Sequence, residues 1–526
     1  MHNPTLFHEN TSRHGRTPLI GKTERVPQLR AVNFLRRTIM NPPQSIFRKK
    51  TASRTSAAAA AVAGVFLLAS LLTACGGGGT PSGTGTNPNP TPAAKTPVQV
   101  NMGDSPADWM LAFSMNITSM SLTGSNGSAT VVSTSVPMEM MHLMGTMQPL
   151  AMVSAPQGSY TGASITIGSA TVMYMDPTTK APVQATIPGP MTANVTFSSP
   201  ITVGSTPMAM GFDLDLASSV TSGSGGTLTM NPVFHVSSGM QGSGTASDPT
   251  NGGIQQMMGS IASVSGSSFS MTSMQAAQSF TFATNSSTVF NGVSMGMSSM
   301  SSGMLVIVDA TMQPDGSMLA TKVQSMMGSG GAMGGGVITA LTGQPPTQLT
   351  LVMQNGAGTG MMASDFAAGI TVDMNGSTTY QMDDDNMDMS GLPFTPVFDA
   401  SHVYAGQSVM PISSGGMMSG SGGMMGGGSM AGTMTASGLE LEPQGLSGTV
   451  ATKISSGTAT SFTMTLPSGC AFTTLTGATS VMVYQQTGTT VSTGSSIASG
   501  STIHSFGLLF YDGGQWKMVA SRIGSN

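Results

Sequence analysis

The sequence predicts an all-β protein, in which an N-terminal β-sandwich is followed by three small β-barrel or sandwich repeats with Gly/Ser/Met-rich linkers. Three observations support this prediction. Charged residues make up only 7% of the 526 residues, so helix-favouring Glu, Lys and Arg are scarce, whereas 69 glycines can supply turns. Segments in which apolar and polar residues alternate recur along the chain, as in half-buried strands. A pattern of glycine, strand and hairpin signals also repeats three times in the second half of the chain.

The first 74 residues have the features of an export signal. Residues 1–39 lie upstream of these features and are interpreted as an extra N-terminal segment, so Met40 is the expected start of a signal peptide at 40–74. A basic cluster precedes an uncharged Ala-, Leu- and Val-rich segment, and Cys75 follows directly before four glycines. The alternative is an uncleaved anchor helix. It is disfavoured because a span needs about 20 strongly apolar residues, and this segment is rich in Ala and Ser.

The sequence around the expected cleavage site, Leu72-Thr73-Ala74-Cys75, resembles the lipobox of bacterial lipoproteins. The resemblance implies that Cys75 is a lipidation site, which carries a diacylglycerol and an amide-linked acyl chain such as palmitate. Several acyl chains anchor a protein firmly, so the expected partner is a membrane, reached through the lipid anchor. Gly76, in place of Asp, implies sorting to the bacterial outer membrane, with the chain facing the periplasm or the cell surface.

The part of the chain after the signal is acidic and sparsely charged. Eleven of the 17 basic and two of the 21 acidic residues precede Cys75, which leaves 6 basic against 19 acidic residues after it. A nucleic-acid partner requires a concentrated basic face, so none is expected. With Cys75 acylated, Cys470 has no partner for an intrachain disulfide. It is expected to be a small buried core residue, and a reactive free thiol is the alternative.

The sandwich is predicted from alternation that begins near residue 98. Residues 75–97 are rich in Gly, Ser, Thr, Pro and Asn and predict a flexible tether. Residues 98–236 contain about seven period-two strands, which suits one β-sandwich domain. In one of them, Phe113, Met115 and Ile117 share a face, and the strand ends at a turn over 124–127.

Four segments of this domain resemble a family of uncharacterised domains at the N-terminus of bacterial lipoproteins. They are an acidic-Pro-Ala start, a strand that contains Ile-Thr-Ser-x-x-Leu, a Gly-x-Tyr turn and a Phe-Asp-x-Asp strand, at 104–109, 116–122, 155–160 and 212–215. The resemblance implies an envelope location and a β fold, and it implies no activity.

The remaining chain predicts β repeats at 259–327, 334–445 and 446–526. Each begins with a Gly-x-Val-like start, and Asp315-Gly316 and Asp512-Gly513 are hairpin signals in the first and third. The second repeat has no Asp-Gly and carries low-complexity Gly/Met insertions. The pattern resembles a second family of small uncharacterised repeats of bacterial lipoproteins and periplasmic proteins. We expect each unit to be a compact barrel or sandwich of five or six strands.

Methionine is unusually frequent, with 49 residues in the chain, and it clusters in several places, including 138–147 and 417–434. Soft thioethers select Cu(I), whereas methionines inside strand patterns are expected to act as flexible core filler. The second cluster lies in a Gly/Ser run with almost no other apolar residue. It therefore supplies the Cu(I) candidates, which are Met417, Met418, Met424, Met425, Met430 and Met434. No other cofactor is expected.

The acidic run at 382–388 does not have the spacing of an EF-hand loop, because Met387 replaces an oxygen ligand and the glycine is missing. A solvated turn is expected there. No catalytic set is evident either, because the histidines lie in unrelated segments and no G-x-S-x-G elbow joins a strand to a helix.

These observations favour a non-enzymatic, membrane-anchored cell-envelope lipoprotein that serves as a binding or structural module. Its further partner is expected to be an envelope protein or a glycan. The first alternative is a periplasmic Cu(I)/Ag(I)-binding protein, and the second is an unrecognised envelope hydrolase.

Overall fold

A computed structural model of the chain describes residues 93–105, 107–144, 146–223, 227–240, 251–273, 275–293, 295–325, 334–354, 369–384, 387–413, 433–456, 459–492 and 497–524. The architecture is nearly all β, which confirms the predicted fold class. The predicted signal, Cys75 and most of the predicted tether lie outside the described residues. Among the described residues, no helix has the length and apolar character needed to cross a membrane.

The N-terminal module, here called the sandwich, consists of two facing sheets and a small two-stranded sheet. Its strands are β1 (Lys95–Ser105), β2 (Met110–Gly124), β3 (Gly127–Val132), β4 (Val136–Glu139), β5 (Met147–Pro156), β6 (Gly158–Met175), β7 (Pro182–Ile187), β8 (Met191–Val203), β9 (Met208–Asp215), β10 (Val220–Ser222), β11 (Leu228–Met230) and β12 (Phe234–Met240). A 3₁₀-helix at Met141–Leu143 links β4 to β5, and a one-turn helix α1 (Leu216–Ser219) follows β9.

One sheet of the sandwich has the strand order β12-β9-β1-β5, with β1 and β9 parallel. The other has the order β3-β2-β6-β7, and β4 and β8 pair with β2 and β6. Phe113, Met115 and Ile117 are fully buried between the sheets, as the alternation predicts. The first strand begins at Lys95, so the last residues assigned to the tether pair with β5 instead.

Three barrels follow the sandwich. The first contains β13 (Gly253–Ser265), β14 (Ser268–Thr272), β15 (Ser279–Ala283), β16 (Val289–Asn291), β17 (Leu305–Met312) and β18 (Met318–Ser325). The second contains β19 (Gly336–Gly343), β20 (Pro346–Met353), β21 (Gly369–Asp373), β22 (Thr379–Met382), β23 (Ser408–Ser413) and β24 (Thr433–Leu441). The third contains β25 (Gln444–Ser456), β26 (Ala459–Thr465), helix α2 (Ala471–Thr476), β27 (Ser480–Val491), β28 (Thr502–Asp512) and β29 (Gln515–Gly524).

The three barrels share one strand order. In the third, β25-β26-β27-β29-β28 close into a barrel in which β27 and β29 are parallel. In the first and second barrels, two short strands occupy the place of β27, and both pair in parallel with the last strand. The order is that of a five-stranded Greek-key barrel, the class of small barrel to which the OB-fold belongs. The hairpins predicted at Asp315-Gly316 and Asp512-Gly513 join the last two strands of the first and third barrels.

The modules are packed together through shared apolar clusters. Leu508, Phe510 and Val519 of the third barrel extend into the core of the second. Another cluster joins Leu111 and Met173 of the sandwich to residues of the second and third barrels, and Ile307 of the first barrel packs on Met410 of the second. All four modules belong to one compact unit, Pro88–Asn526. Because apolar burial fixes these contacts, the space between the modules has a defined shape.

Candidate functional site

A cavity of about 90 Å³ lies where the four modules meet. We call it the junction cavity. It has room for a few water molecules or one small ligand. Its apolar lining includes Met110, Leu111, Met141, Met144, Met258, Leu466, Cys470, Phe472 and Phe506. Its polar lining includes Asp108, His142, Gln148, Gln275, Gln354, Glu442, Gln444 and Ser447.

The sandwich side of the cavity is built on a buried carboxylate. Glu139, at the end of β4, has no exposed surface, and its side chain accepts three backbone N–H bonds. One comes from Phe113 on β2 at 2.9 Å, and two come from Met141 and His142 at 3.1 and 3.0 Å. The first N–H groups of a helical turn have no partner within the turn, so this carboxylate satisfies them and fixes the 3₁₀-helix against β2. Gln275 of the first barrel accepts the backbone N–H of Glu139 at 3.1 Å.

His142 completes this arrangement. Its Nδ1 lies 3.0 Å from Oε2 of Glu139, and only 9% of the side chain is exposed. The carboxylate oxygen accepts hydrogen bonds, so Nδ1 donates to it, and Nε2 of the neutral imidazole then presents a lone pair. That Nε2 is buried and has no hydrogen-bond partner in the described structure. His142 lines the junction cavity together with Met141 and Met144, its neighbours in the same turn.

The third barrel forms the opposite side of the cavity. Cys470 is 3% exposed and precedes helix α2, where its sulfur accepts from the N–H of Thr473 at 3.2 Å and its thiol donates to Oγ1 of the same residue at 2.9 Å. Burial raises the pKa of this thiol. The expectation of a buried core cysteine is therefore confirmed. The backbone N–H of Ala471 donates to the carbonyl of Asp108 at 2.6 Å and ties the helix to the sandwich.

Asp108 and Ser447, which line this side of the cavity, are brought together with His504, which lies outside the lining. The Ser447 hydroxyl lies 2.7 Å from Nδ1 of His504, and the Asp108 carboxyl is hydrogen-bonded to Ser447. Burial raises the pKa of Asp108, and the bonds from Ser447 partly offset this. In a hydrolytic triad the histidine lies between the acid and the serine. Here the serine lies between the acid and the histidine, so the three residues do not have the order of a nucleophilic triad.

A carboxylate cluster lies where the first and second barrels meet. Asp383 receives a hydrogen bond from the Gln256 side chain, and one of its oxygens is 3.9 Å from Nζ of Lys322. Burial raises the pKa of Asp383. Burial and the neighbouring Asp383 raise the pKa of Glu440 to about 6 and that of Glu442 well above its ordinary value.

The cluster corrects one expectation from the sequence. Asp383 belongs to the acidic run at 382–388, which was expected to form a solvated turn, yet its side chain is only 11% exposed. The expectation was wrong for this residue because the first barrel packs over it. Asp384, the next residue of the run, is exposed.

A second cavity, of about 160 Å³, lies between the sandwich and the third barrel. It is lined by Asp104, Asp213, His504 and Arg522, among others. Both carboxyl oxygens of Asp104 are buried without a hydrogen-bond partner in the described part of the chain. Burial, and then the charge of Asp213, raise the pKa of Asp104 well above its ordinary value. At a pH close to that ordinary value, this carboxyl is therefore neutral in the folded protein.

The residues predicted as sites from the sequence are placed as follows. Cys75 and the candidates Met417, Met418, Met424, Met425 and Met430 lie outside the described residues. Met434 lies on β24, is 5% exposed and packs in the core of the second barrel. No group of three or more His, Cys, Asp or Glu side chains within the described ranges has a geometry suited to a metal ion.

The sequence reasoning missed the Glu139–His142 pair, although it noted the methionines at 138–147. The available signal was an acid three residues before a histidine, within a run of apolar residues. A buried acidic side chain in such a run needs hydrogen-bond donors, and the backbone N–H groups of the following turn are the nearest ones. That the histidine faces a cavity depends on three other modules, which local sequence does not show.

Residues 258–324 match the family model of DUF5666, a domain of unknown function. The match lies within the first barrel, so that barrel is an uncharacterised β-domain of the kind the sequence led us to expect. A comparison with curated proteins gave no match for the chain.

Proposed function

We propose that the protein is a non-enzymatic lipoprotein of the bacterial cell envelope, anchored through Cys75, which binds a small ligand in the junction cavity. The observation that carries the binding role is the cavity itself, because all four modules contribute to its walls and apolar clusters hold them together. The lining combines apolar side chains with a few polar groups, as in small-molecule sites. The anchor rests on the lipobox resemblance at residues 72–75.

The repeat arrangement belongs to the same proposal. The family match covers the first barrel alone, and the second and third barrels have the same strand order. We assign all three to one repeat family on that basis. The second barrel differs by long insertions in the sequence, one of which, at 414–432, lies between its last two strands.

The rival hydrolase function has little support from the geometry. Ser447 is 5% exposed, and its hydroxyl is held between Asp108 and His504 instead of being activated by a histidine that an acid orients. Hydrolysis of envelope substrates that is lost in His504→Gln would contradict this conclusion.

Copper binding by the methionines of the 414–432 insertion stays a prediction from the sequence.

Replacement of the anchoring cysteine tests the location. In cells fed radiolabelled palmitate, the wild-type protein should carry label and sediment with the outer membrane, whereas Cys75→Ser should carry no label and should not sediment with the outer membrane. Cys470→Ser is the matched control and should behave as wild type, because Cys470 is buried in the third barrel. Labelling of Cys75→Ser, or sedimentation of that variant with the outer membrane, would contradict the proposed anchor.

Access of small molecules to the cavity can be measured at Cys470, the only free thiol once Cys75 is acylated. At pH 8, methyl methanethiosulfonate should modify the native protein at least about tenfold faster than a polyethylene-glycol methanethiosulfonate, because the two share a reactive group and only the small reagent enters a cavity of about 90 Å³. An exposed thiol, introduced by Thr130→Cys in a Cys470→Ser background, should show no such selectivity. Equally slow reaction of Cys470 with both reagents would indicate that it is reached only when the fold opens, which contradicts a ligand cavity open to solvent.

A further inference from the structure

We infer that the junction cavity is a site for a soft monovalent metal ion, Cu(I) or its analogue Ag(I), with Nε2 of His142 and the thioether sulfurs of Met141 and Met144 as ligands. This inference deepens the proposed function, on which it rests, by naming the ligand class. It places the metal in the sandwich turn at 141–144, and not in the methionine-rich insertion of the second barrel.

The first argument is the state of His142. Its Nδ1 is bound to Glu139 at 3.0 Å, and its Nε2 is buried, unpartnered and part of the cavity wall. A buried nitrogen lone pair without a partner costs free energy unless a ligand satisfies it. A carboxylate that holds the other ring nitrogen is the usual support of a metal-binding histidine, because it fixes the tautomer and the ring orientation.

The second argument is the neighbouring donors. Met141 and Met144 are three residues apart, and side chains at that spacing lie on the same side of a 3₁₀ turn. Both side chains line the cavity that His142 faces, and both are less than 8% exposed. Thioether sulfur with imidazole nitrogen is a soft donor set, which selects Cu(I) over Mg²⁺ or Ca²⁺.

The third argument is charge. A monovalent ion at Nε2 would be balanced by the carboxylate of Glu139 on the far side of the ring, within a buried and therefore poorly solvated site. Cys470 also lines the cavity, but its thiol is hydrogen-bonded twice to Thr473 and burial raises its pKa. Because these two hydrogen bonds already hold the sulfur, Cys470 is not included among the ligands.

The test uses the mature, lipidated protein in detergent, in a background in which the insertion methionines Met417, Met418, Met424, Met425 and Met430 are replaced by Leu. Cu(I), kept reduced under anaerobic conditions, is titrated against a chromophoric Cu(I) chelator. One equivalent should bind. His142→Gln should weaken binding by at least about 100-fold, and Met144→Leu, which keeps the side-chain volume, should weaken it by about tenfold.

His402→Gln is the matched control. His402 forms the same pair with an acid three residues before it, at 2.7 Å from Asp399, but it is 39% exposed and lies outside the cavity lining. Its replacement should leave the affinity unchanged. Circular dichroism shows whether each variant folds. If His142→Gln does not fold, the Cu(I) affinity of the Met141→Leu/Met144→Leu double variant is measured in its place.

X-ray absorption of the loaded protein should show nitrogen and sulfur neighbours of the metal. In the protein labelled at the methionine methyl groups, Ag(I) should shift the signals of Met141 and Met144. Absence of a bound equivalent, or unchanged affinity in both the His142 and the double methionine variants, would overturn the inference. That outcome would leave the lipidation and Cys470 results intact, so the two proposals can fail separately.

Discussion

Glycine occupies the same position in the first strand of each barrel because another residue would collide with a neighbouring strand. A Cβ at Gly259, Gly336 or Gly448 would lie 2.5, 2.3 or 2.4 Å from a backbone carbonyl oxygen of the second strand of its barrel. A register shift follows within a few residues in all three, as at Val450/Thr452. The glycine of the Gly-x-Val start that marks the repeats in the sequence is therefore required, because two backbones approach each other closely at this position.

Replacement of one of these glycines should destabilise its barrel. Gly448→Ala places a methyl group 2.4 Å from the carbonyl oxygen of Thr465, and we expect a loss of roughly 1–3 kcal/mol in the free energy of unfolding. Trp516, buried in the third barrel, reports its unfolding in urea when Trp109 is replaced by Phe. Gly204→Ala is the control, because nothing lies within 4 Å of the added Cβ. Equal midpoints for the two variants would contradict the argument from close approach.

At the scale of elements, each barrel has the same threonine hydrogen bond between its third and last strands. Thr288 donates to the carbonyl of Ala320 at 2.7 Å, Thr378 to that of Ala436 at 3.0 Å, and Thr489 to that of Ala520 at 2.7 Å. Each hydroxyl also accepts a backbone N–H from three residues earlier. The threonine thus satisfies backbone groups where the third strand is interrupted or shifts register, and it fixes the parallel pairing that closes the barrel.

The strands themselves were largely predictable. Alternation identified the faces of β2, and the Asp-Gly signals identified two hairpins. Met115, Met271 and Met464 are fully buried, which confirms the core role expected of these three, whereas Met482, whose strand pattern predicts the same role, is only partly buried. The pairing of the third strand with the fifth was not predictable, because parallel neighbours lie far apart in the sequence and only closure of the barrel brings them together.

At the scale of the whole molecule, contacts between modules bury ionisable groups that a single module would leave exposed. The Asp383 side chain lies under the first barrel, and Glu440 and Glu442 lie at the same boundary with 5% and 7% exposure. Because burial favours the neutral form of a carboxyl, the folded state binds protons more tightly than the unfolded state. Stability gained in this way is present at low pH and is lost as the pH rises through the folded-state pKa.

This linkage predicts lower stability at pH 8 than at pH 5. For Glu440, whose pKa rises from an ordinary 4.5 to about 6, the free energy of unfolding falls by roughly 2 kcal/mol between low and high pH. Glu442→Gln should raise the thermal midpoint at pH 8 and reduce the difference between pH 5 and pH 8. Asp176→Asn is the control, because backbone hydrogen bonds lower the pKa of that exposed carboxyl and its titration ends below this window. A wild-type midpoint that is unchanged between pH 5 and pH 8 would contradict this account.

The sequence by itself determined the all-β class, the strand faces, the hairpins and the glycine positions, because each follows from periodicity or backbone sterics within a few residues. The lipobox at Cys75 is likewise a local signal, and the anchor that it implies stays a prediction. Only the tertiary structure brought His142, Glu442 and Cys470 to one cavity. These residues belong to three modules, and apolar packing between the modules, which no local pattern encodes, decides which side chains meet there.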